Sequence, residues 1–274
     1  MAERQRLSDD SFIRAQMFAD RRSSMRRYAD LVVGPGRSYW KLLQYEIITG
    51  LFGGLPGALG LALRRLFYPL LFRRVGRAPV FGRHLVIRNA HRISLGDQVV
   101  IDDGCVLDGR GAGEEGVRIG DRVIIGRLSM IQAKIGPIAI GDDCDIGAMS
   151  VVHSQGGTYL GREVVLGGGC KISGGAFDVH AEEKGGGPLA AREQARVTSG
   201  PIRIGDRCLF GMGAMVLDGV EVGEGTIVGA GSILVRSVPA RAVVAGSPAR
   251  VLRMREPATT PPEEGEADIE RERP

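Results

Sequence analysis

Four histidines occur among 274 residues, and two of them stand where a reactive group would be useful. His180 lies in GGAFDVHAEEKGGGP (174–188), a glycine-rich stretch that interrupts the most regular part of the chain. His153 precedes it by 27 residues. An imidazole titrates near neutrality and is the side chain best suited to take a proton from a hydroxyl, so each is a candidate general base. Asp178, Glu182 and Glu183 are placed to orient His180, and no spacing singles one out. His84 and His91 fall far from the loop and read as structural or exposed. They are also the one pair of histidines close in sequence, and no metal is expected. Cys105, Cys144, Cys170 and Cys208 lie 39, 26 and 38 apart, spacings that fit no zinc or redox motif. They read as reduced, buried thiols.

The elements that must position these residues show in a period of six. An aliphatic side chain recurs at Leu95, Ile101 and Leu107, then at Ile119, Ile125 and Ile131, then at Ile140, Ile146 and Val152, then at Leu160, Leu166 and Ile172. After the loop come Ile204, Phe210 and Val216, then Val222, Val228 and Leu234. Glycine follows eleven of these eighteen. Neither a helical nor a simple strand period gives this spacing. Three hexads make a triangular coil with one aliphatic group inward per side, and glycine is expected at corners whose conformation is costly for other residues. Between sets of three the spacing rises to 12, 9, 8 and 32, so every excursion leaves from one corner. Each cysteine falls four places after a repeat aliphatic, a second inward position. His153 should lie one coil step, about 4.8 Å, beneath Ser173 at the loop corner.

Glycine totals 42, twice its usual share, and the net charge of +4 is too mild to argue for nucleic acid. Residues 1–79 differ from the repeats: a basic helical stretch precedes YWKLLQYEIITGLFGGLPGALGLALRRLFYPLLFRR. The run from Ile47 to Leu63 is uncharged but holds five glycines and Pro56, a poor membrane span. With the arginine pairs at 64–65 and 73–74, residues 47–74 suit either peripheral contact with a lipid surface or packing against the coils. MAERQRLSDD carries no secretory signal, so a cytoplasmic protein, peripheral at the inner membrane face if the leader binds lipid, is expected. Residues 256–274 read as a disordered tail.

The hexads, the extruded loop 173–201 and the closing segment VGAGSILVRSVPARAVVAGSPARVLR together resemble the hexapeptide-repeat acyltransferases, among them galactoside, maltose and polysaccharide O-acetyltransferases. The likeness covers residues 80–255, and YEIITGLFGGLPGALG is similar to a leader of some bacterial members. The resemblance implies an all-β left-handed parallel β-helix, a homotrimer with sites between subunits, and acetyl-CoA or another acyl-CoA as donor. It also carries residues over. Gly211 stands at the first turn after the loop, and Ala230 and Ser232 match the turn whose backbone lines the pantetheine arm. Arg236 replaces a usual lysine, and Arg250 and Arg253 match cations near the nucleotide phosphates. Leu209 stands where the family has tryptophan. Counting five from Ile172 to the family's histidine position gives Phe177, with His180 three places later and EEKGGGP as an insert. PLAAREQ resembles the element that follows that histidine, with Gln194 as its counterpart.

Together these features predict an acyl-CoA-dependent O-acyltransferase acting on a hydroxyl of a sugar, polysaccharide or lipid-linked precursor. His180 or His153 is the base, and a longer acyl donor or an amine acceptor stays open. Two alternatives share the fold: a non-catalytic trimeric scaffold, which Phe177 favours and the three arginines oppose, and a zinc enzyme resembling γ-class carbonic anhydrase.

Overall fold

The computed structural model describes residues 23–174 and 200–256. His180, Phe177, Gln194 and most of the extruded loop lie outside the described residues, as do the first 22 residues and the tail from 257. The repeats form a left-handed parallel β-helix. Three sheets of seven, nine and seven strands build its sides, and each coil contributes one strand to each sheet. The first coil comprises β1 (Arg74–Val75), β2 (Val80–Phe81) and β3 (Val86–Arg88), so winding starts inside the stretch that composition assigns to the leader.

The period of six dictates the register. Leu95 pairs with Ile119 and Ile119 with Ile140 on the first side. Ile101, Ile125 and Ile146 stack on the second, and Leu107, Ile131 and Val152 on the third. All eighteen repeat positions are at most 4% exposed. Burial of that order contributes about 1.5–3 kcal/mol for each large aliphatic side chain, before the entropy of ordering it is set against it.

The corners are built differently from the expectation. None of the eleven glycines that follow a repeat aliphatic has a positive φ. They are required by close approach between coils: a Cβ on Gly126 would sit 2.6 Å from the Ala148 nitrogen. The left-handed conformation falls two residues further on. Between the first and second sides it is taken by Gln98, Arg122, Asp143, Glu163 and Arg207, with φ of 55–59°. Between the second and third sides it is taken by glycines, including Gly169 and Gly213, and also by Leu128 and Met149. Aspartates at the first corner knit successive coils through the backbone. Asp121 accepts from the Asp97 nitrogen at 2.7 Å, and Asp142 accepts from the Asp121 nitrogen at 2.8 Å. That ladder gives the recurring Gly-Asp pairs a structural role.

The cysteines are inward, as the spacing predicts: all four are free and buried. Burial pushes the Cys105 and Cys144 thiols up to about 11 and raises those of Cys170 and Cys208. A thiol reacts through its thiolate. The folded protein should therefore leave all four unmodified by Ellman's reagent near neutral pH and release them to it in guanidinium. A rapidly labelled thiol in the native protein would contradict this packing.

Helices close the first coil. Helix α1 spans Ser24–Val32, α2 Tyr39–Phe52 and α3 Gly57–Phe67. The hydroxyls of Ser23 and Ser38 accept backbone N–H groups at the starts of α1 and α2, satisfying donors that a helix leaves open. Gly53–Pro56 separates α2 from α3, which divides the long uncharged run. The buried Arg64 guanidinium ties the pieces together, donating to the carbonyls of Phe52, Leu55 and Phe81 at 2.7–3.1 Å. Tyr68, Phe72 and Phe81 pack beneath it, with ring centroids 5.4 and 5.8 Å apart. At the other end, β22 (Ala242–Gly246) extends the second sheet and β23 (Ala249–Met254) turns back antiparallel along it.

Candidate functional site

The third side ends at the corner from which the excursions leave. One residue past each inward aliphatic stands an outward position, and these align into a column: Arg88, Asp108, Gln132, His153 and Ser173. On the next two coils the column turns apolar, with Leu217 and then Val235. Asp108 is buried, receiving the Arg110 amide at 2.9 Å and Gln132 Nε2 at 3.4 Å. His153 is half-buried on β12 (Val151–Ser154) and pairs in register with Ser173 directly above, the last strand residue before the extruded loop. The spacing therefore locates His153 correctly. Asp108 and Gln132 belong to no motif of their own, although each follows a third-hexad aliphatic by one place, as His153 and Ser173 do, and that offset finds them.

Short loops fix this corner. The Gly136 amide donates to the Gly111 carbonyl at 2.9 Å, and the Ile202 amide to the Gly157 carbonyl at 3.0 Å. Ser154 Oγ receives the Gly157 amide at 3.0 Å, and Thr158 Oγ1 donates to the His153 carbonyl at 3.0 Å. The His153 backbone is thereby held on both sides, with the Gly174 amide donating to the same carbonyl at 3.2 Å.

The residues matched to the donor lie elsewhere on the coils. Gly211 and Ala230 occupy the corner between the second and third sides, stacked so closely that a Cβ on Gly211 would sit 2.4 Å from the Ala230 nitrogen. Ala230 is exposed, and its backbone N–H and C=O have no hydrogen-bond partner among the described residues. Ser232 is fully buried and its hydroxyl accepts the Gly246 amide at 3.1 Å, so it fastens β22 to the last coil and presents no side chain to a ligand. Arg236 follows Val235 at the loop corner, three coil steps, about 14 Å, from His153. Arg250 and Arg253 are exposed on β23, opposite Ala245 and Val243. No carboxylate pairs with Arg236, Arg250 or Arg253 among the described residues.

Within one chain the structure thus brings His153 and Arg236 to one corner and Gly211 with Ala230 to another. Along a coil, Gly147 in the Gly211 column and His153 are six residues apart, on the order of 20 Å of extended chain. An open cleft of about 650 Å³ lies over the first side near its C-terminal end, lined by Tyr159, Arg203, Glu221, Glu224 and Ser237. The Arg203 guanidinium covers the Tyr159 ring there at 4.7 Å. That cleft reaches the neighbour of Arg236 but none of the other candidate residues. No group of three His, Cys, Asp or Glu side chains among the described residues is arranged to hold a metal.

Comparison with known proteins agrees with this architecture. A family model described as the hexapeptide repeat of succinyl-transferase matches residues 137–173 and 201–236. The 2,3,4,5-tetrahydropyridine-2,6-dicarboxylate N-acetyltransferase of Staphylococcus aureus is 45% identical over 69 residues, 25% of this chain. The chain spans only 29% of the length of that relative. Among solved structures, AntD from Bacillus cereus, an N-acyltransferase in complex with dTDP and 3-hydroxybutyryl-CoA, superposes with a TM-score of 0.50 at 21% identity. That likeness covers 70% of this chain and 88% of AntD, and it establishes the fold. The matched residues 137–173 and 201–236 are hexapeptide repeats, and the chain folds as a left-handed β-helix.

Proposed function

We propose that this protein transfers an acyl group from acyl-CoA, with acetyl as the simplest case, to a hydroxyl of a sugar or of a polysaccharide or lipid-linked precursor. The observation that carries the reading is the separation of two kinds of chemistry along one β-helix. A polar column holding His153 stands at the root of the extruded loop, and three arginines without carboxylate partners surround the last coils. The S. aureus relative is named an acetyltransferase, and AntD was crystallised with an acyl-CoA. Both are N-acyltransferases by name, so an amino sugar is the natural second acceptor to assay beside hydroxyl sugars.

In this reading, His180 on the extruded loop takes the proton of the acceptor hydroxyl as its oxygen attacks the thioester carbonyl, and collapse of the tetrahedral intermediate releases CoA thiol. His153, below Ser173, is the alternative base. The unpartnered Ala230 N–H and C=O suit the amides of the pantetheine arm, while Arg236, Arg250 and Arg253 suit the phosphates. Since base and donor turn occupy different corners of one chain, a complete site requires a neighbouring copy, and a homotrimer supplies one at each cleft. The second reading, a non-catalytic scaffold, rests on Phe177 at the position where the resembling enzymes carry histidine. Donor binding separates the two: CoA should bind the purified protein, and Arg253→Ala should weaken it about tenfold, the worth of a charge-assisted contact.

A further inference from the structure

We infer that the helical cap of the first coil is a docking surface for an anionic lipid bilayer, held in the interface without crossing it. This inference is independent of the acyltransferase reading. On α2, Trp40, Leu43, Ile47 and Leu51 recur at spacings of three and four and form one face, and all four are exposed, Trp40 by 72% and Leu51 by 60%. On α3 and the turn after it, Leu59, Leu66 and Leu70 are exposed by 57–69%. Phe52 and Phe67 stack at 4.6 Å, so the two helices are held against each other on the first coil while these leucines face away from the core. Seven large apolar groups unburied in one small segment exceed the scattered apolar exposure of ordinary surfaces.

Charge identifies the occupant. Residues 33–96 contain ten lysines and arginines and one acid, Glu46. Arg64 is buried against carbonyls and Arg77 and Arg83 pair with Asp97 and Asp103 of the next coil, so the remaining cations set the sign of the cap. Glu46 is engaged by the Tyr28 hydroxyl at 2.6 Å. Lys41, Arg65, Arg73 and Arg74 have no carboxylate partner among the described residues; Lys41 donates to Gln44, and Arg73 to the Glu114 carbonyl. A face so positively charged repels a second copy of itself and attracts an anionic surface. Length excludes a span: helices of 14 and 11 residues extend roughly 21 and 17 Å, short of a hydrocarbon core of about 30 Å. No helix among the described residues is long and apolar enough to cross a membrane. Apolar residues in the headgroup boundary with fringing arginines is the remaining geometry.

Trp40 is the only tryptophan in the chain, so the protein carries its own probe. Phosphatidylglycerol–phosphatidylcholine vesicles should shift its emission to the blue and pull the protein down on sedimentation. Vesicles of phosphatidylcholine alone should do neither, and high salt should reverse the binding. The double variant Arg65→Glu with Arg74→Glu should lower partitioning by about 25-fold or more, counting roughly fivefold for each positive charge removed. Leu43→Glu with Leu66→Glu, at exposed positions, should abolish the blue shift without moving the thermal midpoint. Unchanged Trp40 emission and no sedimentation with anionic vesicles would overturn the inference. So would binding that survives both double variants, or leucine variants that change only the mass in solution, which would make the face a protein interface.

Discussion

Replacing His180 by alanine should lower kcat for acetyl transfer by about two to four orders of magnitude, the range a positioned general base contributes. A sugar hydroxyl holds its proton far above neutral pH, so attack on the thioester waits on its removal. Histidine, with an ordinary pKa near 6.5, is about three-quarters neutral at that pH and loses its function as it protonates. The wild-type kcat profile should therefore fall on the acid side, and the residual activity of His180→Ala should have lost that limb. Affinity for CoA should stay within about twofold, because the proposed donor contacts are made by Ala230, Arg236, Arg250 and Arg253 and the substitution removes none of them. Steady-state kinetics with varied acetyl-CoA read all three quantities. His153→Ala, one coil below Ser173 in the polar column, should cost less. If it alone abolishes turnover while His180→Ala is active, the base is His153; full activity in both variants contradicts a histidine mechanism.

The second large effect concerns the frame. Gly126→Ala should destabilise the protein by about 3 kcal/mol, at the upper end of overpacking costs. Its added Cβ would meet the Ala148 nitrogen at 2.6 Å and the Ala148 Cα at 3.0 Å. Those are backbone atoms of the next coil, locked in turn by the coil beyond, and they cannot swing aside as a side chain would. Gly169→Ala is the control. It has φ of +73° and nothing within 4 Å of its Cβ, so it pays only for the left-handed conformation, about 1 kcal/mol. Leu128 and Met149 hold the equivalent turn position with φ of 60°, which shows that the turn tolerates a side chain. Thermal unfolding should place Gly126→Ala roughly 6–12 °C below the wild type and Gly169→Ala within a few degrees of it. Equal losses would mean that conformation, not contact, makes the repeat glycines necessary.

That contrast also shows where sequence reasoning stops. The inward columns were legible because a coil with one inward side chain per face leaves a period that no helix or simple strand shares. The cysteines followed from the same offset, as did the position of His153 beneath Ser173. The reason for the glycines did not follow, since six-residue spacing is silent on whether a glycine supplies an unusual φ or a missing Cβ. Val75, Phe81 and Ile87 repeat at six, yet the first coil merged with the leader because arginines and the aromatic cap share its composition. At the other end Val238 and Val244, six apart, continue the first two columns after a step of only four from Leu234. Ser232 was matched for its backbone, but its depth and its hydroxyl bond to Gly246 depend on where β22 returns, a long-range pairing that local pattern does not encode. Arg64 shows the same limit from the other side. It reads as half of an exposed arginine pair, whereas the fold buries it against three carbonyls and leaves Arg65 outside.

An acyltransferase on this β-helix must bind an acyl donor. The most direct measurement is calorimetric titration of CoA into the purified protein, with Arg253→Ala alongside. The proposed function predicts binding with one site per chain, weakened about tenfold in the variant and progressively by added salt, as phosphate contacts from exposed arginines require. An absence of heat and of saturation at millimolar CoA would contradict it. The coils would then be a scaffold, and the unpartnered arginines of the last turns would serve some other anion.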